Sequence, residues 1–435
     1  VAKVELILDR SDQTARALAP LPYHRAICEF LQAQEPDLWK WFSSDNYSDQ
    51  LIESQKLELL KSTVRLSSDN HPQLYARAIQ ARDALGISLP LTLYQAQASG
   101  NGLNAMLSFF PNELVIVLQG DWAKHHSEQE LLAVFGHEIA HHKLYTEQDG
   151  QFFTTMRILS WCQQQPDCSA PYVESYRRYQ LFTEVYADLG SQVVTGEWQS
   201  SVANLIKVTT GVSEVSVDDY VAQADEVLAK HKIGSQQTSH PEIFLRAKIL
   251  HSLHQAQHKN SWNAKAWQTE TQQLVIGPLD VVSLDLLDQQ LLTEASLQLI
   301  NLYTANTCFQ TDTIEALAQE FFPEFTWPTP ALKQALDTVE ASNSEPSYRD
   351  TLTKVLDHCS DNTREYLSFV LLDFACADPD CQPDSYSHAL RLAQQLGFEN
   401  NFEPLFRKEL KMKKEEVAKL LANSISTAEE ADDHE

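Results

Sequence analysis

The apolar positions change their period twice along the chain. Up to about residue 70 they fall at helical spacing. "YHRAICEFLQAQEPDLWKWF" (23–42) and "DQLIESQKLELLKSTVRL" (49–66) each predict a helix. "PQLYARAIQARDALG" predicts a third, stopped by Gly86. The period then shortens. "LPLTLYQA" reads as a strand, and "LNAMLSFF", the turn "PNE" and "LVIVLQG" read as a β-hairpin. Helical spacing returns in "SEQELLAVFGHEIAHHKLY" (127–145). There Ser127 and Glu130 form a capping box, and Leu131, Leu132, Phe135 and Ile139 supply the core-facing side. "ESYRRYQLFTEVYADLGSQVV" (174–194) is a second strong helix. The stretch between them, 146–172, is more polar, contains "QQQPDCSAP" and reads as a mobile connection.

From about 260 onward strand signals nearly vanish. Helices are predicted at "LDVVSLDLLDQQLLTEASLQLINLY", "TDTIEALAQEFF", "PALKQALDTVEA", "YRDTLTKVLDHC", "REYLSFVLLDFACA", "YSHALRLAQQLG" and "EPLFRKELKMKKEEVAKLLANSI". The last ten residues, "STAEEADDHE", read as a disordered acidic tail. The expected organisation is a helical N-terminal segment over 1–70, a domain over 71–260, an all-helical domain over 261–425 and the tail over 426–435.

Composition narrows the functional classes. A net charge of −27 argues against nucleic acid and anionic membranes as partners. The seven cysteines are odd in number and scattered, with no CxxC pair, which points to a reduced, cytoplasmic setting rather than a disulfide framework. No apolar run reaches the length of a transmembrane helix, and "VAKVELILDRSDQ" lacks the apolar stretch of a signal peptide. The chain starts at Val, so prior processing stays open.

The candidate chemistry lies in "FGHEIAHH" (135–142). His137 and His141 are four positions apart, one turn along one helical face, which suits two imidazoles on one Zn²⁺ at about 2.0–2.1 Å each. Glu138 is placed to take a proton from water at the open position. A catalytic zinc needs a third protein ligand. The His-Glu-x-x-His-x-x-Gly-x-x-His extension is absent, because Leu144 and Glu147 stand where it needs Gly and His. The better candidate is Glu184 in "TEVYAD", with Asp188 one turn on, able to hold a ligand imidazole by its second nitrogen. Val185, Tyr186, Ala187 and Leu189 surround these carboxylates, and carboxylates among apolar neighbours need a partner. His142 points about 100° away from His141 and reads as packing or surface. His125 and His126 read as exposed, and Tyr145 and Tyr186 as core.

Three segments, which carry four motifs in order, then resemble a known family. "NAMLSFFPNELVIVLQGDWAKHHSEQELLAVFGHEIAHH", "RRYQLFTEVYAD" and "SHPEIFLRAKIL" are similar to the successive motifs of the HtpX and CAAX-prenyl-protease family of gluzincin metallopeptidases, over about residues 70–255. The resemblance implies a zincin-like domain and one Zn²⁺ per chain, held by His137, His141 and Glu184, with Glu138 as base. It implies that 103–110 is an edge strand on which Asn104, Ala105, Met106, Leu107 and Ser108 pair with an extended polypeptide substrate. The His-Pro of the last motif, His240–Pro241, is implied to lie near the zinc. His240 would then serve as an oxyanion donor, as a fourth ligand that keeps the enzyme latent, or as a helix cap. Arg246 would support the first role or pair with Glu184 or Asp188. The chain lacks the membrane helices of the best-known members and resembles the soluble ones.

"EYLSFVLLDFACADPDCQPDSYSHALRLAQQLGF" resembles the tellurite-resistance TerB-like helical module, with Asp378, Asp380 and Asp384 in its acidic loop and Pro379 where that module has glycine. A helical domain of this kind suits docking of a protein partner better than chemistry. The expected fold class is α+β, mostly α: a zincin-like domain with a small antiparallel sheet, followed by an all-α domain. The expected function is that of a zinc metalloendopeptidase acting on extended or unfolded polypeptides. The competing reading is a latent or inactive metallopeptidase fold acting as a scaffold or chaperone-like adaptor. A binding protein has no need of Glu138, which favours the enzyme.

Overall fold

The structure, a computed structural model, describes residues 18–44, 49–97, 102–230, 234–258, 263–328 and 350–422. The predicted helix over 330–341 and the acidic tail lie outside the described residues. The chain divides into two compact units between Gly277 and Pro278.

In the first unit, helices α1 (Pro22–Gln34) and α2 (Pro36–Ser44) occupy the first predicted helical stretch. They are separate because Pro36 forces Glu35 out of the helical region. Helix α3 (Asp49–Ser62) ends where β-branched Thr63 and Val64 begin strand β1 (Thr63–Arg65). Helix α4 (Pro72–Ala84) is closed by Gly86 at φ 74°, the left-handed conformation glycine adopts at no steric cost. Strands β2 (Leu91–Ala96), β3 (Asn104–Phe110) and β4 (Glu113–Gln119) complete a four-stranded sheet of order β1-β2-β4-β3.

The sheet is mixed, not antiparallel. β3 and β4 form the expected antiparallel hairpin, but β2 and β4 run parallel. The cause is visible in β4. Its run "LVIVL" is buried on both faces: Val115 and Val117 pack with Tyr94, Phe110 and the α3 residues Ile52 and Leu59, while Leu114, Ile116 and Leu118 point the other way. A continuously apolar strand belongs at a sheet centre. Inserting β4 beside β2 makes that pair parallel and leaves β3 at the edge.

After the short helix α5 (Trp122–His125), helix α6 (Glu128–Thr146) starts at the predicted capping box. Ser127 Oγ accepts the Glu130 N–H and Glu130 Oε2 accepts the Ser127 N–H. The stretch read as a mobile connection contains helix α7 (Gln151–Gln163), whose Phe152, Ile158 and Leu159 are buried. Its apolar positions were masked by surrounding glutamines. Helix α8 (Ala170–Thr195) packs against α6. Helices α9 (Gln199–Thr210), α10 (Val217–Lys230), α11 (Ile243–His258) and α12 (Ala264–Ile276) complete the unit. Its limit falls after α12, past the boundary at 260 expected from sequence.

Two details fix α8. Gly190 faces Ala140 of α6, and a Cβ on it would stand 2.3 Å from the Ala140 Cβ. Gly136 of α6 also lies close to the α8 backbone, where a Cβ would be 3.1 Å from the Ser191 Cα. The two helices therefore approach at glycine distance. On the opposite side His24 of α1 is fully buried, its ring edge-on to Tyr179. Its Nδ1 accepts the Leu21 N–H at 3.3 Å. Its Nε2 faces Thr183 Oγ1 at 3.3 Å, and that hydroxyl already donates to the Tyr179 carbonyl. The network calls for a neutral ring with the proton on Nε2.

The second unit is all helical among the described residues: α13 (Leu286–Thr304), α14 (Asp312–Phe321), α15 (Asp350–Asp357), α16 (Asp361–Ala377), α17 (Asp384–Gln395), α18 (Glu399–Glu409) and a last helix over 414–422. One core built on Tyr303, Phe374, Phe398, Phe402 and Phe406 unites them. The helix predicted from 279 begins only at Leu286, capped by Asp285. Ahead of it Leu279 pairs its backbone with His358 and Ser360. In the acidic loop Asp378 accepts the Asp380 N–H and Asp384 opens α17, so both serve helix ends.

Two stability tests follow from α8. Gly190→Ala forces α6 and α8 apart and is expected to cost about 1–3 kcal/mol in urea unfolding; unchanged stability would show that the contact is not tight. Burial, aided by the Arg25 charge, pushes the His24 pKa down to about 3. The folded pKa lies below the unfolded value of about 6.5, so this stabilisation is complete above pH ~6.5 and is lost as pH falls towards 3. The loss approaches about 1.4 kcal/mol per pH unit from this site. His24→Gln should flatten the stability profile between pH 6.5 and 4, and identical slopes would refute the assignment.

Candidate metal centre

Three helices, one edge strand and one loop converge in the first unit. Helix α6 presents His137, Glu138 and His141. Helix α8 presents Glu184 and Asp188 across the glycine contact. Helix α11 contributes Arg246, and the loop before it His240. Among the described residues, His137, His141 and Glu184 are the one group of three or more His, Cys, Asp or Glu side chains whose ligand atoms all lie within 4.8 Å.

The donor geometry was tested against zinc. Tetrahedral ligands at about 2.0–2.1 Å from one Zn²⁺ stand about 3.3–3.4 Å apart. The Nε2 atoms of His137 and His141 are 3.2 Å apart. His137 Nε2 is 3.4 Å from Glu184 Oε2, and His141 Nε2 is 3.6 Å from Glu184 Oε1. Two imidazole nitrogens thus face one carboxylate, with one Glu184 oxygen towards each ring, at spacings close to the tetrahedral edge, and this donor set fits zinc. His137 is oriented from behind, its Nδ1 3.1 Å from Asp188 Oδ1. Arg246 grips Asp188 with Nε and Nη2, both at 2.6 Å, and lies 3.3 Å from Glu184 Oε2.

The electrostatics follow from burial. Burial opposes ionisation of Glu184, yet His137 and Arg246 hold it well below the usual carboxylate range. Asp188 is likewise held low, against burial, by Arg246 and His137. Burial would lower His137, but Asp188 and Glu184 overcome it and push the ring up; burial holds His141 down. Burial pushes Glu138 up to about 7, a range suited to accepting and returning a proton. One oxygen of Glu138 is fixed, Oε2 accepting the Leu107 N–H at 2.8 Å.

That bond also sets the polarity of the edge strand. In an antiparallel strand the N–H and C=O of one residue point to the same side, alternating along the chain. With Leu107 facing outward, Ala105 and Phe109 also present their backbone groups to the open side, whereas Met106 and Ser108 face β4. Asn104 gives its carbonyl to Trp122 Nε1 at 3.2 Å. Asn104 and Ala105 line a cavity of about 480 Å³ together with His137, Glu138, Glu184 and His240.

His240 Nε2 stands 3.4 Å from Glu184 Oε1. It is not a cap: α11 opens on the Glu242 carbonyl, which accepts from Leu245 and Arg246, leaving His240 on the loop. Arg246 takes the pairing role, with both carboxylates. His142 is buried with Nε2 3.0 Å from the Phe110 carbonyl, and neither Tyr145 nor Tyr186 lines the cavity. His126, read as exposed, is buried, its ring folded back on Trp122 at 4.7 Å; His125 is exposed. The far wall, Ser201, Leu205 and Val208 of α9, escaped the sequence reading because an ordinary amphipathic helix carries no chemical signature.

Comparison with known proteins bears on one segment. Residues 70–163 match the family model for Peptidase family M48, the family whose motifs the chain resembles. No curated protein and no solved structure matches the chain. No described helix is long and apolar enough to cross a membrane. The matched segment runs from α4 through strands β2–β4 and α6 to the end of α7, and so carries His137, Glu138 and His141 on the scaffold described above: over residues 70–163 the chain matches the model of peptidase family M48, a family that is generally zinc-dependent.

Proposed function

We propose that the chain is a zinc-dependent endopeptidase that hydrolyses peptide bonds of extended or unfolded polypeptides. The observation that carries this reading is the convergence of His137, His141 and Glu184 beside a buried Glu138 held by the edge strand. When bound, zinc supplies a Lewis acid that polarises a carbonyl and acidifies water. The three side chains would hold it. Glu138 accepts the proton of the attacking water and returns it to the departing amine. His240 donates through Nε2 to the carbonyl oxygen as it gains charge. Arg246 keeps Asp188 and Glu184 ionised, and Asp188 fixes the His137 ring.

Substrate lies along β3, segment Asn104–Ser108. The outward backbone groups of Ala105, with the Leu107 carbonyl, bind its main chain, so sequence tolerance is broad. A polypeptide is therefore the partner, and the acidic surface disfavours nucleic acid. A buried base beside a complete ligand set sets this reading above that of an inactive adaptor.

Three measurements test it. Purified protein should hold about one zinc per chain, and Glu184→Ala should lose most of it; full retention removes Glu184 as a ligand. Glu138→Gln should keep zinc while cleavage of an unfolded protein falls by about 10²–10⁴-fold, and equal activity would sink the enzyme reading. Ala105→Pro removes an outward donor without touching the β4 ladder, which edge strands tolerate. It should weaken cleavage with zinc retained, and wild-type kinetics would move the substrate off this edge.

A further inference from the structure

His240 is held in an unusual way for a residue at a reaction centre. Its side chain is 61% exposed, so packing does not place it. It sits on a strap of 234–242 without regular structure, whose residues 236–240 are all exposed. The position of the ring depends on what grips the strap.

The grips are few and specific. At the start, Gly234 lies against the end of α12, where a Cβ would come 2.3 Å from the Ile276 carbonyl carbon. Next to it the Ser235 N–H donates to the Val275 carbonyl at 2.8 Å. The strap closes on itself where Glu242 Oε1 accepts the Gln236 N–H at 3.1 Å. The remaining grip comes from α8. Arg177 Nη1 donates to the carbonyls of Ser235 at 3.0 Å and Gln237 at 2.9 Å. Gln237 is the last of these anchors before His240, three residues on.

Arg177 is itself oriented. Its Nε and Nη2 donate to Glu174 Oε2 and Oε1 at 2.7 and 2.6 Å, a two-point pairing that fixes the guanidinium plane. Glu174 also accepts from Arg178 Nε at 2.7 Å, and Arg178 is buried. The fork is thus referenced to α8, the helix that carries Glu184. On the strap, Ser239 Oγ lies 2.8 Å from His240 Nδ1. With that hydroxyl donating, the ring proton is on Nε2, the atom facing Glu184.

We propose that Arg177 is a positioning residue: it ties the 234–242 strap to α8, so that His240 Nε2 is held in register with the metal centre. The proposal rests on the peptidase reading and on the role given to His240 there. A lysine cannot replace the fork, since one ammonium cannot bond Glu174 at two points and serve two carbonyls in a fixed plane.

The test is a double-mutant cycle on the full chain loaded with zinc, read by kcat, KM, zinc content and hydrogen exchange of the 236–240 amides. Arg177→Gln should lower kcat about 10-fold to 10²-fold with KM and zinc unchanged, as misplacement of a catalytic donor does. The 236–240 amides should exchange faster, while α6 and α8 do not change. Arg177→Lys should recover part of kcat. In the His240→Ala background, Arg177→Gln should cost nothing more. Multiplying losses would mean that Arg177 acts elsewhere and would overturn the proposal, as would wild-type kcat with unaltered exchange in Arg177→Gln. If that variant unfolds, Arg177→Lys is read by the same cycle. Unchanged kcat in His240→Ala would remove the role of His240 and this proposal together. An inactive wild type, indistinguishable from Glu138→Gln, would instead fail the peptidase reading; the exchange data alone would then show whether Arg177 holds the strap.

Discussion

The close approach of α6 and α8 is the constraint on which the site depends. Gly190 meets the Ala140 methyl and Gly136 meets Ser191 and Val194, so neither glycine has room for a Cβ between the two helices. Only at that separation can Glu184 reach between His137 and His141 while Asp188 stands behind His137. The contact also creates an electrostatic demand. Glu184 and Asp188 are buried and ionised against a single guanidinium, that of Arg246, which leaves one negative charge uncompensated. Burying such a charge is costly unless a cation balances it. The demand shows in His137, whose ring Asp188 and Glu184 push up against its burial. A divalent ion at the same point would meet it with both imidazoles giving lone pairs, which couples metal binding to proton release.

Much of this was legible in the sequence because it depends on local spacing. The capping box at Ser127 and Glu130, the four-residue step from His137 to His141 and the carboxylates Glu184 and Asp188 amid apolar neighbours need no tertiary information. The hairpin was legible for the same reason. The parallel pairing of β2 with β4 was not, since it follows from which strand the two flanking layers bury. Helix α7 was hidden by its glutamines, and α9, α10 and α12 carry no motif. Arg177 was invisible in principle: its acceptors are backbone carbonyls 58 and 60 positions away, and carbonyls leave no mark in a sequence.

Glu138 joins two parts of the machinery that sequence presents as separate. Its carboxylate is bound by the Leu107 N–H, a donor on the open side of the edge strand. On that edge the Leu107 donor is already taken by Glu138, while the backbone groups of Ala105 face the open side. The strand thereby fixes the base at the place where it leaves a gap in its own ladder. Under the proposed function, a substrate paired with Ala105 would lie alongside Glu138, so that main-chain pairing and proton transfer would share one frame.

The opposite side of the centre is built differently, and the contrast carries physical content. The candidate ligands and Glu138 project from helices, the carboxylates buried and the imidazoles partly buried, where packing restricts rotamers. His240 stands largely exposed at the cavity, on a strap whose Ser235 and Gln237 carbonyls are held by Arg177. A donor that must meet an oxygen only while that oxygen bears charge does not need burial, but it needs a fixed distance. Placing it on a strap keeps the mouth of the cavity open to an extended chain. With that strap tied to α8, a donor at His240 would move with Glu184. In the proposed reading the same helix then sets both the metal ligand and the reference point for the donor, and a shift of α8 would move both together rather than pull them apart.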